Sequence, residues 1–380
     1  MQKFNLIIKP TSECNLRCKY CYHKTTEYEC GIIDKNRIFK LMDISAQVYK
    51  NINIIWHGGE PLMCGMKFYK EILTEQVKIG RKYGCRFTNS IQTNATLIDK
   101  KWASFFRKHN IGVGVSYDGH THDELRMNSE KVHESFELLK KYHLNAGCLA
   151  VVSNYNKDLI KLYEDCKKYS KHLKMNQVFD EDGNASYLVD TNEYIDEVIK
   201  FFDYYMYDQT GIKVEPFNSY IFKSLGVLSG MCSTTSCLGK WLDMDAKGYL
   251  RVCGQTANSE FIIGHIDNVS SLREVFNSEN FNSLLSKSIE RRAICKQTCP
   301  LFKECQGGCI FRNIIDGGYK KMNGNTCHIF KSVYQHISKT IKQYLLDGKP
   351  LADLNPVVKN IILECTSQST FSKEKILKVE

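Results

Sequence analysis

A chain of 380 residues, 43% hydrophobic and 25% charged, reads as globular, with room for two domains or one large one. No apolar run reaches the length of a membrane span and no signal-peptide h-region opens the chain, so no membrane partner and a cytoplasmic location are expected. The net charge of +10 comes from Lys spread without a dense basic block, and no zinc-finger, recognition-helix or RNA-binding signature argues for nucleic acid.

Strand-like and helix-like segments alternate through the first half. Lys3–Lys9 reads as a strand and Asp34–Lys50 as a helix. Ile52–His57, Arg86–Gln92, Ile111–Tyr117, Leu144–Val152 and His172–Phe179 read as five more strands. Helical periodicity fills the gaps at Lys67–Lys82, Asp99–His109, Ser129–Tyr142 and Lys157–Ser170. Short apolar runs separated by amphipathic helices predict βα units on a parallel sheet. The expected fold class is α/β: a partial (β/α)6 barrel followed by a small Cys-rich α+β domain. The expected boundaries are 1–230 for the barrel, with a helical linker from about 190, 231–330 for the Cys-rich domain, and 331–380 for a C-terminal helix and tail. The aromatic-rich stretch Asn192–Gln209 reads as a helix that packs one domain on the next. The chain after about Leu345 reads as a surface extension.

Cysteine usage decides more. The 17 Cys are an odd number in a long chain, which points to metal or redox chemistry instead of a disulfide scaffold. Three of them, Cys14-Asn-Leu-Arg-Cys18-Lys-Tyr-Cys21, follow the first strand. Iron–sulfur cubes in ordinary electron carriers take four thiolates, so a three-thiol loop leaves one iron open. Taken alone, the loop also suits a zinc knuckle or a ferredoxin-like site. The other informative residues fall after strands, where (β/α) barrels place their active sites. They are Gly58-Gly59-Glu60-Pro61, Gln92-Thr93-Asn94, Ser116-Tyr-Asp118-Gly119 and Arg126. Adjacent glycines let a backbone approach a ligand closely. Arg126 suits a two-pronged carboxylate contact, or a surface ion pair with Asp123 or Glu124.

A second set of eight thiols follows: Cys232, Cys237, Cys253, Cys295, Cys299, Cys305, Cys309 and Cys327. Eight thiolates fill two four-iron cubes. They would equally fill two zinc sites. Gly248, in Asp245-Ala-Lys-Gly248-Tyr, reads as a hairpin turn. Cys30, Cys64, Cys85, Cys148, Cys166 and Cys365 belong to neither set, and Cys85 and Cys148 read as small core residues.

The C-x3-C-x2-C loop with Tyr20 before its last Cys resembles the signature of the radical S-adenosylmethionine (SAM) enzymes. In that family the open iron chelates SAM, and reductive cleavage gives a 5′-deoxyadenosyl radical that abstracts hydrogen from substrate. Gly58-Gly59-Glu60-Pro61 is similar to the family's SAM amino-binding motif. Ile91–Leu97 and Val115–Gly119 are similar to segments of the anaerobic sulfatase-maturating enzymes and of ribosomal-peptide maturases. The resemblance implies that Tyr20, Gly58, Gly59, Glu60, Ser116 and Arg126 bind SAM. His120 departs from it, because that position is usually Pro.

The eight-Cys set resembles the SPASM domain, an auxiliary-cluster module. By position, the resemblance implies one [4Fe-4S] cluster on Cys232, Cys237, Cys253 and Cys309, and another on Cys295, Cys299, Cys305 and Cys327. With the first loop that makes three [4Fe-4S] clusters. The three-residue gap between Cys295 and Cys299 is one longer than the family's usual spacing.

The resemblance implies oxidative modification of a peptide or protein substrate. A thioether, C–C or C–O cross-link in a ribosomally made peptide is the leading expectation. The alternative is formylglycine generation, as in sulfatase maturation, with a relocated base. A non-catalytic metal-binding or electron-transfer protein is the reading from another class. Sulfatase-maturating enzymes carry an Asp after the third auxiliary Cys as a base, and here Gly254 stands there. Asp180, Glu181 and Asp182 are the candidate replacements. An electron donor such as flavodoxin or ferredoxin is expected. With thirteen residues before Cys14, leader recognition would fall to the barrel, the Cys-rich domain or a separate leader-binding protein.

Overall fold

The computed structural model describes residues 3–21, 31–178, 185–228, 231–235, 237–256 and 258–367. Seven parallel strands lie side by side in chain order: β1 (Lys3–Ile8), β2 (Asn51–Trp56), β3 (Arg86–Thr93), β4 (Gly112–Ser116), β5 (Gly147–Val152), β6 (His172–Gln177) and β7 (Lys213–Glu215). The first six match the expected strands to within a few residues. The three-residue β7 follows Gly211 and is too short for a periodic signal.

Alternation in the strands separates two faces. In β1, Phe4, Leu6 and Ile8 are buried while Asn5 and Ile7 are half-buried. Phe4 stacks on Tyr49 with ring centroids 4.4 Å apart, and Trp56 of β2 meets Tyr69 at 5.3 Å, so these side chains face the helical layer. The opposite face is polar at the strand starts. Asn53 Nδ2 donates to Asn5 Oδ1 at 3.3 Å, and Thr88 Oγ1 donates to Asn53 Oδ1 at 2.9 Å. Helix starts are set by acidic caps. Asp34 receives Asn36 N at 3.0 Å, Asp99 receives Trp102 N at 2.8 Å, and Asp158 receives Lys161 N at 3.0 Å.

The Cys-rich segment enters the same sheet. β8 (Trp241–Met244) runs parallel to β1, pairing Ile7 with Asp243 and Ile8 with Met244. β9 (Tyr249–Arg251) and β10 (Ile262–His265) continue antiparallel beyond it. The β8–β9 hairpin turns at Gly248, whose φ of +96° is left-handed, as the turn requires.

The aromatic helix spans Thr191–Tyr205 and buries Tyr194, Phe201, Phe202 and Tyr205, while Tyr204 and Tyr207 stay exposed. It packs against helix Asn325–Leu346. The end of the chain differs from expectation. Pro356–Ser367 forms a helix that buries Val357, Val358, Ile361, Ile362 and Cys365, and it packs on helix Phe217–Ser224. Its apolar stripe offsets the cost of ordering the chain there. Among the described residues, no helix is long and apolar enough to cross a membrane.

Candidate active site at the mouth of the barrel

The three-Cys loop leaves β1 at its C-terminal end and is held first by backbone. His57 N donates to Ile8 O at 2.9 Å, Gly59 N to Thr11 O at 3.0 Å, and Glu60 N to Glu13 O at 2.8 Å. The chain beyond β2 therefore runs against the entry to the cysteine loop. An added Cβ at Gly59 would lie 2.0 Å from Glu13 O, and one at Gly58 (φ +108°) would lie 2.6 Å from Thr11 O. The close approach that these glycines permit is to the cysteine loop itself.

Glu60 is fully buried and spends its carboxylate on the protein. Oε1 accepts from Leu62 N at 2.9 Å and Thr93 Oγ1 at 2.8 Å, and Oε2 accepts from Asn94 N at 2.8 Å. Burial pushes its pKa up to about 7 against the pull of those bonds. Asn94 then reaches the loop. Its Nδ2 donates to Asn15 Oδ1 at 2.9 Å and lies 3.8 Å from Cys14 Sγ.

The other flank is a buried triad. Arg126 Nε donates to Asp118 Oδ2 at 2.7 Å, and the Tyr20 hydroxyl donates to the same oxygen. Asp118 Oδ1 accepts from Val151 N at 2.9 Å. The Arg126 guanidinium lies 5.1 Å from the centre of the Tyr20 ring, and its Nη1 is 3.9 Å from Cys18 Sγ. Arg126 is thus not in a surface pair. Asp123 accepts from Ser129 N at 2.7 Å, and Glu124 lies 3.7 Å from Lys19 Nζ. Ser116 Oγ accepts from Gln92 Nε2 at 2.9 Å. Burial raises the Cys14 thiol to about 11, and it raises Cys18 with Arg126 opposing.

The eight later thiols separate into two neighbourhoods. Cys253 is raised by burial and then by Cys309, Cys237 and Cys232. Cys305 is raised by burial to about 12, with Cys327, Cys295 and Cys299 adding to it. These neighbourhoods group the same residues as the sets that the resemblance implies. Cys295, Cys299, Cys305 and Cys327 line one cavity together with Phe302 and Met322. Among the described residues, no three His, Cys, Asp or Glu side chains stand close enough to hold a single metal ion. Arg291 is fully buried beside the second set. It donates to Gly307 O at 3.1 Å, Tyr319 O at 2.9 Å, Lys321 O at 2.6 Å and Cys327 Sγ at 2.9 Å.

Asp180, Glu181, Asp182 and Cys30 lie outside the described residues. Cys148 and Cys166 are buried in the barrel wall with Sγ atoms 3.3 Å apart. Reading motifs along the chain passed over Asp118 as a hub, Asn94 as a grip on the loop, and Arg291 as a donor to a thiol. It also passed over Asp243, although a charge inside the apolar strand Trp241-Leu-Asp-Met244 is an available signal.

A three-thiol loop, a Gly-Gly-Glu brace and a buried Asp–Arg pair gathered at the C-terminal ends of parallel strands define a class. Residues 8–166 match the radical SAM superfamily, so the barrel carries a radical SAM domain. Over nearly its full length the chain is similar to sulfatase-maturating proteins. The serine-type anaerobic sulfatase-maturating enzyme of Bacteroides thetaiotaomicron is 27% identical over 93% of this chain and 95% of its own. The cysteine-type enzyme of Clostridium novyi is 27% identical over 93% of this chain and 99% of its own. Among solved structures, native anSMEcpe with bound AdoMet and Cp18Cys peptide superposes with a TM-score of 0.78, at 25% identity, over 91% of this chain and 100% of that one. Streptococcus suis SuiB bound to S-adenosylmethionine shares the fold, with a TM-score of 0.64 at 16% identity, over 86% of this chain and 77% of that one.

Proposed function

We propose that this enzyme oxidises a Cys or Ser side chain of a peptide or protein substrate to an aldehyde, as in anaerobic sulfatase maturation. The observation that carries the reading is the likeness to sulfatase-maturating enzymes along 93% of the chain, spanning both thiol-bearing halves. It displaces the cross-linking peptide maturase as the leading expectation, because SuiB shares the fold alone.

The residues present fit the groups that this chemistry uses. Cys14, Cys18 and Cys21 would hold one [4Fe-4S] cluster, and the two auxiliary sets one each. With SAM bound, the first cluster supplies a 5′-deoxyadenosyl radical. The protein's own part is positional. Glu60, Thr93 and Asn94 fix the Cys14 side of the loop. Tyr20, Asp118 and Arg126 fix the Cys18 side and bring a cation close to that thiol. Gly58, Gly59, Ser116 and Arg126 remain the proposed SAM contacts. Glu60 would act there through the backbone that it braces, since its carboxylate is engaged within the protein. A one-electron donor of the flavodoxin or ferredoxin kind would serve the first cluster.

The test is mass spectrometry of sulfatase-derived Cys and Ser peptides after anaerobic incubation with reconstituted enzyme, SAM and reductant. The expected result is an aldehyde residue, with loss of two hydrogens from Ser, or loss of two hydrogens and replacement of sulfur by oxygen for Cys. Stoichiometric 5′-deoxyadenosine with both peptides unchanged would overturn the sulfatase-type substrate. A cross-linked product from a short ribosomal peptide would reinstate the second reading.

A further inference from the structure

One buried carboxylate near the barrel mouth is met by a lysine ammonium alone. Asp243 lies on β8 opposite Ile7 of β1 and Arg251 of β9, and it is fully buried. Its strand neighbours Leu242 and Met244 are buried on the helical side, so alternation turns Asp243 to the inner face. Neither of its oxygens accepts a hydrogen bond. Its charged neighbour is Lys9, with Nζ 3.4 Å from Oδ2. Arg251, the residue opposite, sends its Nη1 to Asp245 instead. A buried ion pair whose carboxylate has no close hydrogen bond is costly, so the position calls for an explanation beyond stability.

The place of this pair in the molecule supplies one. Lys9 is the residue after β1 on the way to the cysteine loop, and an added Cβ at Gly58 would come 3.0 Å from Lys9 Cβ. Gly254 follows the auxiliary thiol Cys253. An added Cβ there would come 3.1 Å from Asp243 Oδ1 and 2.8 Å from Ile7 Cδ1. Asp243 therefore occupies the space that a side chain at 254 would enter. It lies between the first thiol loop and an auxiliary set, beside the backbone of Gly254.

Among the described residues, the other buried groups at this end are committed or poorly suited. Glu60 and Asp118 accept three hydrogen bonds each, and Glu215 accepts from Ser219 Oγ at 2.7 Å. His57 is held down to about 4 by burial and then by Lys9, Lys174 and Arg126, so it takes a proton weakly near neutrality. Burial raises Asp243 to about 6, with Lys9 and Arg251 opposing.

We propose that Asp243 is the proton acceptor of the oxidation, an inference that rests on the function proposed above. A hydrogen atom leaves the substrate Cβ and completes 5′-deoxyadenosine. An iron–sulfur cluster held by the thiol sets would supply the sink for the one electron that leaves the substrate carbon. The S–H or O–H proton passes to the Asp243 carboxylate as the C=S or C=O bond forms. With a Cys substrate, water then replaces sulfur as hydrogen sulfide is released.

The test follows both steps in reconstituted enzyme, using a sulfatase-derived peptide deuterated at Cβ of its Cys or Ser. Deuterium in 5′-deoxyadenosine reports abstraction, and the aldehyde reports completion. Asp243→Asn is expected to keep deuterium transfer and iron content while aldehyde falls by ~100-fold or more, and Asp243→Glu to restore part of it. The double variant Lys9→Met with Asp243→Leu replaces the pair with apolar groups, a change that folds tolerate, and is expected to show the same uncoupling. Aldehyde from either variant within about threefold of wild type, at equal deuterium transfer, overturns the role of Asp243 alone. Absence of deuterium transfer in the wild type overturns the proposed function, and this inference with it.

Discussion

Arg126 and Asp118 form a buried ion pair, Nε to Oδ2 at 2.7 Å, between the turn after β4 and the cysteine loop. The same carboxylate holds the Tyr20 hydroxyl, and the same guanidinium reaches Cys18. The pair therefore couples the β4–β5 side of the barrel to two residues of the thiol loop. Asp118→Ala would leave Arg126 charged and unpaired, which costs about 3–5 kcal/mol. The expected result is a clear drop in thermal midpoint together with weakened SAM binding, read by calorimetry and equilibrium dialysis. An unchanged midpoint would show that Arg126 finds another partner.

Gly59 tests the backbone seam between β2 and the loop. Its Cβ would overlap Glu13 O at 2.0 Å, a backbone atom that cannot move without the loop. Gly59→Ala should cost about 1–3 kcal/mol and lower iron occupancy of the first site. Gly31, with open space around its Cβ position, is the control, and Gly31→Ala should be close to neutral.

Iron content separates the three proposed clusters. Reconstituted enzyme should hold about twelve irons, and simultaneous replacement of Cys14, Cys18 and Cys21 by Ala should leave about eight. The two auxiliary signals should persist in electron paramagnetic resonance. Loss of all iron in that variant would show that the sites assemble as one unit.

Arg291 should tune the second auxiliary set. Its guanidinium donates to Cys327 Sγ at 2.9 Å and to three carbonyls. Hydrogen bonds to cluster sulfurs help set reduction potentials. Arg291→Met removes a buried cation and a donor, so the potential of that cluster should fall while the other auxiliary cluster keeps its own. Potentiometric titration reads both. A parallel loss of stability is expected because Tyr319 O and Lys321 O lose this donor, while Gly307 O keeps Asn313 Nδ2 at 2.9 Å.

Proton linkage should distinguish metal-free from loaded protein. Burial raises Cys14 to about 11 and both Cys237 and Cys305 to about 12, from an ordinary 9.0. Below pH 9 the thiols are protonated in both states and contribute no slope. Above it the unfolded chain ionises while the metal-free fold holds its protons, so stability falls as pH rises. Denaturation at about pH 8 and about pH 10 should therefore show a loss for metal-free protein and little change for loaded protein, whose thiolates carry no proton.

Much of this enzyme is legible along the chain because its signals are local. Six strands and their helices follow from apolar periodicity, and the three-thiol loop from its spacing, while the resemblance to an auxiliary-cluster module implies how the later thiols divide. Roles that depend on partners far apart in sequence were not legible in this way. Gly59 reads as a ligand-approach residue until Glu13 O is found against it, 46 positions earlier. Glu60 reads as a cofactor contact until Thr93 and Asn94 take its carboxylate. The amino-acid order by itself determined the barrel strands and the hairpin at Gly248. Only the tertiary structure decided that β8 joins β1, which sets Asp243 beside Lys9 and Gly254. The reason is physical: strand pairing across more than two hundred residues leaves no periodic trace, and the energy of a buried carboxylate depends on what the fold brings to it.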